Sequence, residues 1–257
     1  MNHQRIFRQF FDKTSSTYTY LLADLTEKMA ILIDACQDCV QRELKTIDEL
    51  RIKKIYLLST HIHADHITGN ALLKRQLGPS RSTSLISKYY QNARADAQIG
   101  EDETLSVGCF NLSFIHTPGH TSGCLCIVDH ENRRVFTGDT LLVRGCGRTD
   151  FQGGSSEQLY DSVRGKLFKL PRDYTVYPAH DYTGATATSI GEEIDLNPRL
   201  SKSRDQFVEI MSSLNLAYPK LIDVAVPRNL NCGYEGEFEN ANENGRQQAT
   251  GGNGNGQ

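Results

Sequence analysis

Thr60-His61-Ile62-His63-Ala64-Asp65-His66 places three imidazoles and a carboxylate within six residues, straight after the apolar run 54–59, KIYLLS. A short apolar run of that kind reads as a strand. Side chains this close in sequence meet in one small volume only if the chain turns as it leaves the strand. Imidazole nitrogen and carboxylate oxygen suit zinc or ferrous iron. The plain alternative is an exposed histidine cluster that holds nothing. Its density and its position at a strand end favour a metal.

Outward from the cluster, three further ligand-type residues each follow a strand-like segment. His120 stands in Thr117-Pro118-Gly119-His120-Thr121, where Pro and Gly fix a tight turn. Asp139 stands in Thr137-Gly138-Asp139-Thr140, and His180 in Tyr177-Pro178-Ala179-His180-Asp181-Tyr182. Alone, each is an ordinary turn or packing residue; together with residues 61–66 they complete the set for a metal centre. The other strands are expected at 17–22 (TYTYLL), 30–34 (AILID), 111–116, 124–129, 134–137 and 175–177. A helix follows the cluster through Leu72, Leu73 and Leu77. Another starts at Ser155, which pairs with Gln158 as a capping box and leads Leu159, Val163 and Leu167 at i, i+4, i+8. A third starts at Ser203 and Gln206, with Phe207, Ile210, Met211 and Leu214 on one face. Strands, a helix, then strands and helices again indicate a layered α/β architecture.

At 257 residues the chain is long enough to bury a substantial core. No internal repeat or linker divides it, so residues 1–232 are expected to form one catalytic domain. The Gly-, Asn-, Gln- and Glu-rich stretch 233–257 has almost nothing to bury and is expected to be a disordered polar tail. A formal net charge of −3 argues against a nucleic-acid partner. No apolar run approaches the ~20 residues a membrane span needs, which argues against a membrane partner. The N-terminus lacks an apolar signal core. Seven cysteines without such a signal point to a reducing compartment. Cys36-Gln-Asp-Cys39 is a lone CxxC with no second pair downstream; it reads as incidental or structural rather than as a redox or metal motif.

HxHxDH, then a lone His, a lone Asp and a lone His, in that order over roughly residues 17–182, resembles the metallo-β-lactamase superfamily. The resemblance implies an α/β fold, an αββα sandwich with the metal site at one edge between two sheets. Two branches, glyoxalase II and the persulfide (sulfur) dioxygenases, contain a Gly-Cys-Gly-Arg segment like Gly145–Arg148. Arg148-Thr149-Asp150-Phe151, Tyr177–Tyr182 with its Ala-His-Asp-Tyr, Asn197-Pro198-Arg199-Leu200, Ala225-Val226-Pro227 and Asn231-Cys232-Gly233 are similar to the dioxygenases. That similarity runs from about Ile6 to Gly233, and the family is the one that includes the ethylmalonic encephalopathy protein. Residues 181–232 are also too few for the helical glutathione-binding domain that glyoxalase II generally adds.

The dioxygenase resemblance implies one Fe(II) per subunit, held by His61, His120 and Asp139, with three positions left open. It implies glutathione persulfide and O2 as substrates, sulfite and glutathione as products, and a homodimer. His63, Asp65, His66, His180 and Asp181 then stand around the iron rather than on it, orienting ligands or passing protons. Arg148 and Tyr182 are read as catalytic-site and substrate-binding residues, followed by Arg144; an ion pair between Arg148 and Asp150 is the equal alternative for Arg148. Cys146, between two glycines, is given no nucleophile role. With the similarity starting at Ile6, we expect no mitochondrial presequence and a cytoplasmic location. The rival readings are a glyoxalase-II-like dinuclear zinc hydrolase of glutathione thioesters, for which all ligands are also present, and a non-catalytic metal- or glutathione-binding module. A nuclease of the same superfamily would want a basic surface, which the charge does not supply.

Overall fold

Residues 3–236 are described by a computed structural model. Two mixed six-stranded sheets carry the fold. In the first, β1 (Arg5–Asp12), β2 (Thr17–Asp24), β3 (Met29–Ile33), β4 (Lys54–Leu58), β5 (Ser82–Ser87) and β6 (Ala97–Ile99) lie in chain order. The first three are antiparallel neighbours, and β3 to β6 run parallel. The second sheet is built from β7 (Thr104–Val107), β8 (Phe110–His116), β9 (Leu125–Asp129), β10 (Arg134–Gly138), β11 (Thr175–Pro178) and β12 (Thr188–Ser189), again in chain order. There β10 and β11 are the parallel pair.

Side chains alternate across a strand, and β2 shows what that achieves when both faces are covered. Every residue of it is buried. Tyr18, Tyr20 and Leu22 join Ile31, Ile33, Phe110, Phe114, Ile127 and Phe136 between the sheets. Leu21 and Ala23 point the other way, with Leu32 and Leu57, onto Val40 and Ile47 of α1 (Val40–Glu49) and Leu73 of α2 (Asn70–Leu77). On the far side, Cys126, Val128, Val135 and Val176 of the second sheet meet Leu159 and Val163 of α3 (Ser156–Gly165) and Phe207 and Met211 of α5 (Arg204–Ser212). Helix, sheet, sheet, helix is the αββα sandwich that the ligand order implied. Two short helices, α4 (Ile190–Leu196) and α6 (Ile222–Leu230), complete it.

Three expectations need correction. Ser155 accepts from Gln158 N–H at 3.2 Å, but the reciprocal half of the box does not form because Ser155 N–H already donates to Gly119 O at 2.8 Å. At α5 the box between Ser203 and Gln206 is complete. Leu167 is buried as predicted, yet it sits in a short 3₁₀ turn beyond the end of α3. Tyr234, on the tail side of our boundary, is buried with Ala71 and Cys232, so the folded body runs past residue 232. Residues 237–257, the rest of the expected tail, lie outside the described residues.

The topology places the site. β8 and β10 both flank β9 antiparallel and so run the same way, and β11 is parallel to β10. The loops leaving β8, β10 and β11, which carry His120, Asp139 and His180, therefore open at one edge of the sandwich. In the other sheet β3 and β4 are parallel neighbours, which brings Asp34 beside Thr60.

Candidate metal centre

Asp34 is the anchor of the first ligand. It adopts the left-handed region (φ 55°) just past β3. Its two carboxylate oxygens accept from Thr60 N–H and from Thr60 Oγ1, each at 2.8 Å. With its own proton given to Asp34, Thr60 Oγ1 accepts from His61 Nδ1–H at 2.9 Å. That fixes the His61 tautomer and leaves Nε2 with a free lone pair, which a metal ligand requires. Burial and the neighbouring His63 hold His61 well below the ordinary imidazole range, so it is neutral. His120 is set by the same logic: Nδ1–H donates to Arg148 O at 2.7 Å, and Nε2 faces Asp139 Oδ2 at 3.7 Å.

Asp139 is buried, which pushes its carboxyl up, but His180, with His61 and His120, overrides this and holds it well below the usual carboxylate range. His180 is lodged between two carboxylates, 2.6 Å from Asp139 Oδ1 and 3.0 Å from Asp65 Oδ2. Burial opposes its charge, yet Asp139 and Asp65 win and raise it well above the ordinary range. Asp65 shows the converse, held low by His180 against its own burial. Burial lowers His63 while Asp34, 3.2 Å from Nε2, raises it, with the net result at about 9.

His61, His120 and Asp139 each offer a ligand atom within 4.8 Å of the others, and His63, Asp65, His66 and His180 form a second such group. Nδ1 of His63, 3.7 Å from Asp65 Oδ1, and Nε2 of His66 are buried without a well-formed hydrogen bond, and Nε2 of His63 faces only the Asp34 carboxylate at 3.2 Å. Buried polar atoms left so are costly and rare, and a cation among these side chains satisfies them. The donor chemistry therefore fits a metal, with room for one ion or two. A third group, His3, Asp24 and Cys109, is a turn clasp instead. Asp24 there accepts from Thr26, Glu27 and Cys109 N–H and from His3.

Two glycines make the centre possible. A Cβ on Gly138 (φ 54°) would lie 2.7 Å from Thr60 Oγ1, and one on Gly147 would lie 2.7 Å from His120 Nδ1 and 2.6 Å from Asp139 O. The glycine after Cys146 is thus required by the back of a ligand imidazole.

His61, His120, Asp139 and His180 open into a cleft of about 560 Å³. Of the residues predicted to meet substrate, Tyr182 stands at this cleft with its ring parallel to that of His180 (3°) and 73% exposed. Arg148 lines the cleft as well, but its guanidinium is engaged by Asp150 at 2.6 and 2.7 Å and by Ala217 O at 2.8 Å. The ion-pair alternative is the one realised. Arg144 is absent from the lining; Glu192 and Glu193 hold its side chain. Asp181 is not a partner of His180: its Oδ1 accepts from Thr183, Gly184 and Ala185 N–H and caps that turn. Cys146 is buried in the cleft wall, where burial pushes its thiol up to about 11, in line with no nucleophile role. Sequence reading missed Arg199, which lines the cleft, reaches the Met211 sulfur at 3.8 Å and the Cys146 thiol, and has no carboxylate partner among the described residues. It also missed Asp34 and Asn229. Asn229 donates to His63 O and His66 O and accepts from Thr68 N–H. Of these, Arg199 stood inside the quoted Asn197–Leu200 segment and Asp34 at the end of the quoted strand 30–34, neither with a role assigned.

The metallo-β-lactamase superfamily model matches residues 13–180. The Mus musculus protein named "Persulfide dioxygenase ETHE1, mitochondrial" is 46% identical over 230 residues, covering 90% of this chain and 89% of the relative. The crystal structure of ETHE1 from Myxococcus xanthus is similar at a TM-score of 0.84 and 46% identity, covering 89% of this chain and 100% of that one. The hydroxyacylglutathione hydrolase of Pelagibacter ubique is more distant, 34% identical over 169 residues, with 65% of this chain and 67% of the relative covered. The chain belongs to the metallo-β-lactamase superfamily and, within it, to the enzymes of the persulfide dioxygenase family.

Proposed function

We propose that this persulfide dioxygenase is Fe(II)-dependent and oxidises glutathione persulfide with O2 and water to sulfite, glutathione and two protons. The observation that carries the reading is the two-histidine, one-carboxylate group His61, His120 and Asp139, all ligand atoms within 4.8 Å, opening on the cleft. Ferrous iron held there supplies open coordination positions for a sulfur anion and O2, and a path for electrons between them. The protein's own residues do the rest. Thr60 and the Arg148 carbonyl fix the two ligand tautomers. Leu142, Leu216 and Pro219 line the cleft and keep water from the sulfur. Arg199, with no carboxylate of its own, suits a carboxylate of the thiol carrier. His180, between Asp65 and Asp139, holds a proton beside the ligand set.

The second group, His63, Asp65, His66 and His180, favours the rival dinuclear hydrolase. Anaerobic titration of the metal-free protein separates the two. Saturation at one ferrous ion per chain, without thioester hydrolysis, supports the dioxygenase; two zinc ions with thioester cleavage overturns it. A homodimer and a cytoplasmic location belong to the same proposal. Exposed Tyr218, Leu221 and Val224 support the first, and seven unpaired cysteines support a reducing compartment.

A further inference from the structure

The two imidazoles of the proposed triad come from different sheets, His61 after β4 and His120 after β8. One backbone bond ties the end of β4 to the second sheet, Leu125 N–H donating to Thr60 O at 2.9 Å. A buried side chain adds a second tie, directly between the two histidine loops. Tyr90, just beyond β5, lies in a small cluster with Ile62, Ile86 and Ala93. Its hydroxyl accepts from Ile62 N–H, the peptide between His61 and His63, at 3.1 Å. The same oxygen is 2.5 Å from Thr121 Oγ1, on the residue after His120. Thr121 Oγ1 is in turn 3.0 Å from Cys124 Sγ. One direction satisfies every donor: Ile62 N–H to the phenol, the phenol proton to Thr121, the Thr121 proton to Cys124.

Space has been cleared for this side chain. A Cβ on Gly123 would lie 2.5 Å from the Tyr90 ring. A parallel strap runs on the other side of the same residue, to its carbonyl. Gln152 Nε2 donates to Ile62 O at 2.9 Å, and Gln152 O accepts from Ser122 N–H at 3.3 Å. Ile62 is therefore held at both its N–H and its carbonyl by residues that also grip the His120 loop.

We propose that Tyr90 is a positioning residue whose hydroxyl sets the spacing of His61 and His120, and hence how tightly and in what geometry the centre holds its metal. This deepens the metal-centre reading and rests on it. Hydrogen bonds outside the ligand shell commonly govern metal affinity by about 10-fold or more, and a shared hydroxyl in a dry chain of bonds is well placed to do so.

The test is Tyr90→Phe, which keeps the ring on Gly123 and removes only the hydroxyl. Tyr174→Phe is the control, because Tyr174 is also buried and bonds His130 Nδ1 at 3.0 Å, outside the site. Ferrous ion affinity is measured anaerobically by chelator competition, and the visible spectrum is recorded with Co(II) in its place. We expect Tyr90→Phe to weaken ferrous affinity about 10-fold and to shift the Co(II) bands, with Tyr174→Phe matching the parent in both. Thr121→Val breaks the same bridge from the other end. It should show the same loss, and the double variant should be no worse than either single one. If Tyr90→Phe does not fold, Thr121→Val decides. If the parent prefers zinc, as the hydrolase reading holds, the same comparison is made with Zn(II), because the spacing acts on whichever ion is bound. Affinity and spectrum no different from Tyr174→Phe would overturn the proposal.

Discussion

At the scale of single residues, the centre depends on atoms that are absent as much as on those present. Gly147 has its Cα hydrogen where a methyl group would meet the His120 imidazole and the Asp139 carbonyl. Gly147→Ala should leave the fold in place and cut metal content and turnover at least ~10-fold, read by metal analysis and sulfite assay; unchanged metal content would contradict this. Glu43 offers a pH-dependent test away from the site. Its carboxyl is buried in α1, with Oε2 unpartnered, and burial against the opposing pull of Arg42 raises it from 4.5 to about 7. An acid whose folded pKa is raised binds its proton longer in the folded chain, so stability falls as pH rises from about 4.5 to 7 and stays lower above that. The full span is about 3 kcal/mol. Glu43→Gln should therefore gain stability relative to the parent between pH 5 and pH 8, measured by urea midpoints; a difference flat with pH would contradict the argument. The candidate ligands were legible in the sequence, because His and Asp at strand ends are unusual enough to form a pattern. Their supports were not. Asp34 looks like the end of any strand; Arg144 is held by the remote Glu192 and Glu193, while Arg148 and Asp181 are held by partners two to four residues away whose choice the sequence left open.

At the scale of elements, α6 does more for the metal loop than its length suggests. Asn229, one residue from its end, satisfies the His63 and His66 carbonyls and the Thr68 amide. Asn229→Ala would orphan three buried backbone groups, a loss of about 3 kcal/mol or more. It should lower the urea midpoint and release metal more readily. A variant as stable as the parent would show that water replaces the amide. This helix was unreadable as a helix, since Pro227 inside it signals a break. Strands β2, β3, β9 and β10 were readable because burial on both faces leaves near-continuous runs of strand-forming residues, and β4, β8 and β11 because their more and less buried residues alternate. The edge strand β1, RIFRQFFD, is only partly buried and mixes Arg, Gln and Phe, so it gave no such signal. The caps at Ser203 and Ser155 could both be read locally; the missing half of the Ser155 box could not, because Gly119, remote in sequence, takes the amide it needed.

At the scale of the whole molecule, the sandwich works by bringing loops from two sheets to one edge, where β3 and β4 meet the ends of β8, β10 and β11. The order of ligands along the chain implied that arrangement by resemblance. The distances that separate His61, His120 and Asp139 from His63, Asp65, His66 and His180 exist only in three dimensions, as does the cleft that Arg199 lines. What the enzyme does with that edge is decided by oxygen. Oxygen uptake should be followed in protein loaded anaerobically with ferrous iron, on addition of glutathione persulfide, beside a His120→Ala variant. We expect rapid uptake with one sulfite formed per O2 consumed, and loss of both in the variant. No uptake by the iron-loaded parent, with hydrolysis of a glutathione thioester by the zinc-loaded form, would contradict the account at its centre.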